Sequence, residues 1–228
     1  MRNHYCKTLL ALVTFFFGSA VSSGYAQQLD VQEWPNAQVV LTSGDTLYGA
    51  LAYHQTEEIL RLILKDGTNQ AFSPVGVRSF AVADSRGQYH KLFRSYLWNR
   101  GNDYSDYLVP AFFEVLQEGP YTLVKREVLT IRNQSMAPMY AGYGRYYDPY
   151  GTGAYPGYRS QTVILDALYL YTPKQRIIAL RNPKRDLEEL FGKKSGEMKQ
   201  FVKSRDLSYN QTQDVMQIIR YFNTLAKQ

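Results

Sequence analysis

The chain has 228 residues, 26 of them basic and 20 acidic, for a formal charge of +6, and it contains one cysteine and 20 tyrosines. A single cysteine excludes a disulfide framework within the chain and a multi-thiolate metal site. A chain of this length can bury a sizeable core without either.

Residues 1–26 read as a secretory signal peptide. Arg2 and Lys7 give a positive start, Leu9 to Phe17 form a short apolar stretch, and Gly24 and Ala26 place small residues where a signal peptidase cuts. Cleavage is expected after Ala26, with Ala20 as second choice. The apolar stretch falls short of the roughly 20 residues that span a bilayer, so no transmembrane span is expected after cleavage. Cys6 precedes the apolar stretch, which argues against a lipid anchor and leaves the mature chain without a thiol. The expected location is periplasmic, outer-membrane-associated or secreted.

From Ala37 to Phe93 the sequence alternates short β-prone runs with turn residues. Gln38–Thr42 and Thr46–Tyr53 are joined by Ser43-Gly44-Asp45, a hairpin connection. Leu47, Gly49, Leu51 and Tyr53 share one face at the period of two that a pleated strand imposes, and Gly49 predicts a bulge or a close backbone approach. Ile59–Lys65 and Gln70–Ser73 flank the turn dipeptide Asp66-Gly67. Pro74 ends that run, because proline has no amide hydrogen for a ladder. Arg78–Ala83 and Gln88–Phe93 flank a further turn. This spacing predicts antiparallel hairpins forming a small barrel or a curled sheet.

Arg94–Asp106 lacks a period and is predicted to be a loop. Tyr107–Gln117 and Tyr121–Ile131 predict a longer hairpin around Glu118-Gly119-Pro120, with Pro110 at a sheet edge or near a strand start. Residues 133–160 are rich in Tyr and Gly and lack the aliphatic residues of a core, so a loop between strands is expected there. Its tyrosines, Tyr140, Tyr143, Tyr146, Tyr147, Tyr150, Tyr155 and Tyr158, also form a candidate binding surface, since such rings supply rigid contact area. Gln161–Thr172 and Arg176–Leu180 then predict two more strands.

After Leu180 the period changes to that of helices. Asn182-Pro183 is a helix start with an N-cap and proline at the first position, Leu187, Leu190 and Phe191 form its stripe, and Gly192 can end it. A second helix is predicted from Ser195, carrying Met198, Phe201 and Val202. A third, from about Ser208, carries Val215, Ile218, Ile219 and Phe222, with Ser208 and Gln211 placed for a capping box. The expected organisation is α+β: a signal peptide over 1–26, a β-rich domain over 27–181 and a helical subdomain over 182–228.

Charge is uneven along the chain. From Pro173 onward there are 12 basic and 6 acidic residues. Lys193, Lys194, Lys199, Lys203 and Arg205 are therefore a second candidate surface, for an anionic membrane or acidic glycan. The same charges are also what an ordinary solvated helix face carries. An exported chain is not expected to meet nucleic acid.

Chemistry is poorly signposted. His54 and His90 lie outside any metal-ligand spacing, no G-x-S-x-G elbow nominates a serine, and the Gly-rich segment lacks the Lys-Ser or Lys-Thr of a phosphate loop. The carboxylate pairs Glu57-Glu58, Glu188-Glu189 and Asp103 with Asp106 carry no sign of the desolvation that acid–base work needs. No cofactor or metal is expected.

Several stretches together resemble a group of uncharacterised exported proteins of Bacteroidetes-type bacteria. They are V-L-T-S-G-D-T-L-Y-G-A-L, D-G-T-N-Q-A-F-S-P-V-G-V-R-S-F, F-F-E-V-L-Q-E-G-P-Y-T-L-V, D-L-E-E-L-F and Q-D-V-M-Q-I-I-R-Y-F-N. The resemblance implies a Gram-negative envelope or secreted location and transfers no catalytic residue. The expected function is a non-catalytic exported envelope protein that binds a partner or scaffolds an assembly. A glycan or anionic-envelope-surface binding module is the alternative, and a hydrolase built on unidentified carboxylates a lesser one.

Overall fold

A computed structural model of the chain describes residues 30–83, 90–102, 104–135 and 158–226. The strands among them are β1 (Val31–Leu41), β2 (Thr46–His54), β3 (Ile59–Leu64), β4 (Asn69–Phe72), β5 (Val77–Ala83), β6 (His90–Trp98), β7 (Val109–Gln117), β8 (Thr122–Ser135), β9 (Tyr158–Tyr171) and β10 (Ile177–Ala179). They form one antiparallel sheet in the order β10-β9-β8-β7-β6-β5-β1-β2-β3-β4. Helices α1 (Pro183–Phe191), α2 (Ser195–Ser204) and α3 (Thr212–Ala226) follow, with a 3-10 turn, Gly192–Lys194, between the first two. The fold is α+β, and of the two sheet forms expected it takes the curled one. The barrel is corrected: β4 and β10 stay unpaired to each other, so the sheet is open.

The β1–β2 and β3–β4 turns form where glycine permits them. Gly44 and Gly67 have φ of +100° and +84°, and the Asp66 carboxylate accepts the Thr68 amide at 2.9 Å. Gly49 marks a close approach: a Cβ there would stand 2.1 Å from the Ile63 carbonyl oxygen of β3. The bulge lies opposite, in β1, where the register shifts between Trp34 and Ala37 and Pro35 needs no ladder donor.

The sheet rolls twice, in opposite directions. β3 and β7 are five strands apart, about 24 Å in a flat sheet at the usual strand spacing. Yet the Glu58 carboxylate, from the β2–β3 turn, lies 3.1 Å from the Phe112 amide of β7. The first roll encloses Val39, Leu51, Tyr53, Leu60, Leu62, Phe80, Phe93 and Phe112. Inside it the Tyr53 ring meets Phe80, Phe93 and Phe112 edge-on. Phe113, the next residue of β7, points to the opposite face and belongs to the second roll. There Trp98 of β6 and Tyr169 of β9 meet at 5.6 Å between ring centroids, and Tyr96 meets Tyr171 at 4.4 Å.

The back of the second roll is covered by the helices. Leu123, Leu170 and Leu180 of the sheet side pack with Leu187, Phe191, Met198, Val215, Ile218, Ile219 and Phe222. Asn182 caps α1 as expected, its side chain accepting the Arg185 amide at 3.2 Å. Helix α3 is tied to the β7–β8 hairpin by buried Asn223, which accepts the Tyr121 amide at 2.9 Å and donates to the Tyr121 carbonyl at 2.8 Å.

Two local expectations are overturned. The predicted loop over Arg94–Asp106 is strand as far as Trp98, because β6 stays paired with β7 to that residue and carries Tyr96 and Trp98 on one face while Leu97 is exposed on the other. Apolar residues on both faces erase the period. The Ser208–Gln211 capping box is replaced by a longer reach: α3 starts at Thr212 and the Asp214 carboxylate accepts the Ser208 amide at 2.9 Å.

Candidate functional site

The most unusual place in the sheet is where β8 leaves β7. Their pairing ends at Glu114 and Lys125, whereas β8 and β9 stay paired to Ser135 and Tyr158. The parting strips Phe112 of its strand neighbour on that side, and buried backbone groups must find partners. Side chains supply them. Glu58 accepts the Phe112 amide, and Arg126 donates to the Phe112 carbonyl at 2.7 Å. Glu58 and Arg126 also form a salt bridge in which both side chains are largely buried. The Tyr53 hydroxyl donates to Glu58 at 3.2 Å, and the Arg126 guanidinium lies about 5 Å from the Trp98 and Phe113 ring centroids.

A second charged group stands beside this one. Buried Glu114 meets Lys125 at 3.3 Å and Lys91 at 3.6 Å, and Lys125 also meets Asp166 at 3.3 Å. Gln32 of β1 donates to Glu127 of β8 at 2.7 Å, a further side-chain stitch across the first roll. Burial, reinforced by the Glu58 charge, pushes the Tyr53 phenol far above the usual tyrosine range. Burial would lower the Lys125 ammonium, but Glu114 and Asp166 outweigh it and hold it above the ordinary lysine value.

These groups invite a catalytic reading, and the space between them decides against a substrate here. The void bounded by Tyr53, Phe112, Glu114, Lys125, Arg126 and Glu127 measures about 10 Å³. That is at most a single water, not a sugar ring. The carboxylates are engaged in closing the roll. Among the described residues no group of three or more His, Cys, Asp and Glu is arranged to hold a metal.

What the branch point launches is a two-stranded ribbon. Among the described residues, β8 from Arg126 to Ser135 and β9 from Tyr158 to Ala167 have only each other as strand neighbours. Val128 and Leu165 are paired on one of its faces and Ile164 lies on the other, each about 40% exposed. A two-stranded ribbon on its own is marginal in water. On this one Val128, Ile164 and Leu165 stay exposed.

The expected binding residues fare unequally. Tyr140, Tyr143, Tyr146, Tyr147, Tyr150 and Tyr155 lie outside the described residues, and Tyr158 opens β9. Lys193, Lys194, Lys199, Lys203 and Arg205 are exposed around the 3-10 turn and α2. They are not one uncommitted patch. Lys199 pairs with Glu188 at 3.2 Å, and the Arg205 guanidinium stacks over Phe201. The signal segment, residues 1–26, also lies outside the described residues.

Sequence reasoning missed Arg126 altogether and passed over Glu58 as one of two adjacent glutamates. No local signal marks either, since their partnership spans 68 positions and depends on the roll. A polar K-R-E triplet inside the apolar run T-L-V-K-R-E-V-L-T-I was the one visible hint. Two further surfaces are shaped as grooves. One, of about 590 Å³, runs over the outer face of β1, β2, β3 and β5 beside exposed Tyr48 and Ile63. The other, of about 610 Å³, lies between β10 and α1.

Comparison with protein-family models, with curated proteins and with solved structures finds no match to this chain. Among the described residues no helix is long and apolar enough to cross a membrane.

Proposed function

We propose that this is a non-catalytic, exported envelope protein whose role is to bind a partner or scaffold an assembly, with the rolled sheet and its C-terminal helical subdomain as a rigid base. The observation that carries the reading is the β8–β9 ribbon. It outruns the sheet by ten residue pairs and exposes Val128, Ile164 and Leu165 on a marginal element. Exposed apolar contacts on an element that cannot sustain itself gain most from a covering partner. Export rests on the signal-like segment at residues 1–26 and on the resemblance to exported Bacteroidetes-type proteins.

The test is affinity capture of the tagged mature chain from envelope extract of its own host, next to a Val128→Glu/Leu165→Lys variant. These exposed sites tolerate charge, so the melting temperature should stay within about 2 °C, as expected of surface changes that alter stability by about 0.5 kcal/mol or less. A stoichiometric protein partner held by the wild-type chain and lost from the variant is the expected result. Equal capture by both removes the ribbon from the interface. Retention on insoluble polysaccharide with no protein partner favours the glycan-binding alternative instead.

A further inference from the structure

We infer that the trough on the outer face of β1, β2, β3 and β5 binds an acidic saccharide, a short run of sugar rings that carry carboxylates. β1 and β3 flank β2 in the sheet, so their outward side chains form two ridges about 9–10 Å apart at the usual strand spacing. Asn36 and Gln38 alternate with buried Ala37 and Val39 and form the β1 ridge. Exposed Ile63, and Lys65 just past the end of the strand, form the β3 ridge. Ala50 of β2, paired with Ile63, keeps the floor between them low. Tyr48, paired with Gln38, stands beside that floor with its side chain exposed. The void over these strands measures about 590 Å³, within the range of ligand clefts.

The polar side chains around the trough are uncommitted. Among the described residues, Asn36, Gln38, Tyr48 and Lys65 have no side-chain hydrogen bond or ion pair. β1 and β2 are paired along both of their edges, so a peptide strand finds no free main-chain ladder here. An apolar protein face would cover two amides, a hydroxyl and an ammonium without satisfying them, at the cost of their desolvation. A sugar satisfies them. Each amide offers donors and an acceptor to neighbouring hydroxyls, and the Tyr48 ring offers an apolar face to the C–H side of a pyranose.

Charge makes the sugar an acidic one. Lys65 is the single charged residue among the described residues that line the void, and it has no ion pair. The neighbouring Asp66 carboxylate accepts the Thr68 amide at 2.9 Å instead. Farther along the same face, Glu33 and Arg61 stand on either side of Ala52 and balance each other. A carboxylate carried on the sugar therefore meets an uncompensated ammonium, the stronger kind of hydrogen bond.

The trough shares no residue with the ribbon, so it stands or falls apart from the reading above. The Val128 and Leu165 substitutions should leave saccharide binding unchanged.

The probes are tetragalacturonate and a hyaluronan tetrasaccharide, titrated into the chain by calorimetry. Their methyl esters, which keep the rings and hydroxyls but not the charge, serve as comparisons, and inorganic phosphate as competitor. The expected result is that at least one acidic tetramer binds and that its ester binds about tenfold or more weakly. Lys65→Gln should bring the acid down to the affinity of the ester and leave the ester unchanged, which a general loss of structure would not do. Tyr48→Ala and Gln38→Ala should each weaken both forms about tenfold. Ala50→Leu should block both by raising the floor. Binding of neither tetramer overturns the proposal, as does equal binding of acid and ester, or a difference between them that survives Lys65→Gln. So does an affinity untouched by Tyr48→Ala, or full displacement by phosphate, which would make Lys65 a plain anion contact. If neither tetramer binds and Tyr48→Ala instead loses a protein from envelope capture, the face belongs to a protein partner and the proposal falls. Should Ala50→Leu fail to fold, the exposed Tyr48 and Gln38 variants test the same trough.

Discussion

Glu58 and Arg126 tie the β2–β3 turn to β7 and β8 just beyond the end of the β7–β8 ladder. Their salt bridge is buried, and a buried pair broken from one side leaves the other charge without compensation. Glu58→Gln keeps the shape and strands Arg126, so urea unfolding should show a loss of about 3–5 kcal/mol. Adding Arg126→Met to Glu58→Gln should recover part of it, because the stranded charge is then gone. An unchanged midpoint in the single variant would mean that water reaches the guanidinium and the roll is looser there.

Tyr53 adds a pH dependence at the same spot. Its phenol is held above the value of about 10 that it has in the unfolded chain, through burial first and the Glu58 charge second. The native state thus keeps a proton that the unfolded state releases. This stabilisation is complete below about pH 10 and is lost as pH rises beyond it. Lys125, also raised, contributes in the same direction. Denaturant midpoints of the wild-type chain should fall above about pH 10, and Tyr53→Phe should flatten that fall. A slope unaltered by the substitution would assign the alkaline loss to other groups.

At the scale of elements, the contact between α3 and the β7–β8 hairpin turns on one polar side chain. Asn223 satisfies both backbone groups of Tyr121, and Gly119 leaves the room it needs, since a Cβ there would stand 2.2 Å from the Asn223 amide nitrogen. Asn223→Leu should cost about 1–3 kcal/mol for the Tyr121 groups left without partners. Hydrogen exchange at the Tyr121 amide should accelerate correspondingly. Exchange no faster than in the parent chain would show that burial of the hairpin, not the Asn223 hydrogen bond, protects that amide. The ribbon belongs to this scale too: its backbone pairing stays regular to Ser135 and Tyr158, while Val128, Ile164 and Leu165 on it are exposed.

At the scale of the whole molecule, one sheet lines two rolls, besides the core it shares with the helices, because it reverses its curl at β6 and β7, where neighbouring residues such as Phe112 and Phe113 enter opposite rolls. Each roll closes by side chains rather than by strand pairing. The open edge at β10 and the departing ribbon follow from that incomplete closure.

Much of the element level was legible in the sequence because its causes are local. Gly44, Asp66-Gly67 and Pro74 punctuate hairpins through backbone conformation, and Asn182-Pro183 starts α1 through capping, each within a few residues. The strand ending at Trp98 was not legible, since apolar side chains on both of its faces hide the period until their partners are known. The sequence alone thus determined an antiparallel, hairpin-built sheet followed by helices, for these depend on short-range preference and periodicity. Only the tertiary structure decided that the sheet stays open, that Glu58 meets Arg126 and that β8 departs from β7. Those outcomes depend on distant residues meeting across a roll, and nothing local encodes the direction in which a sheet bends.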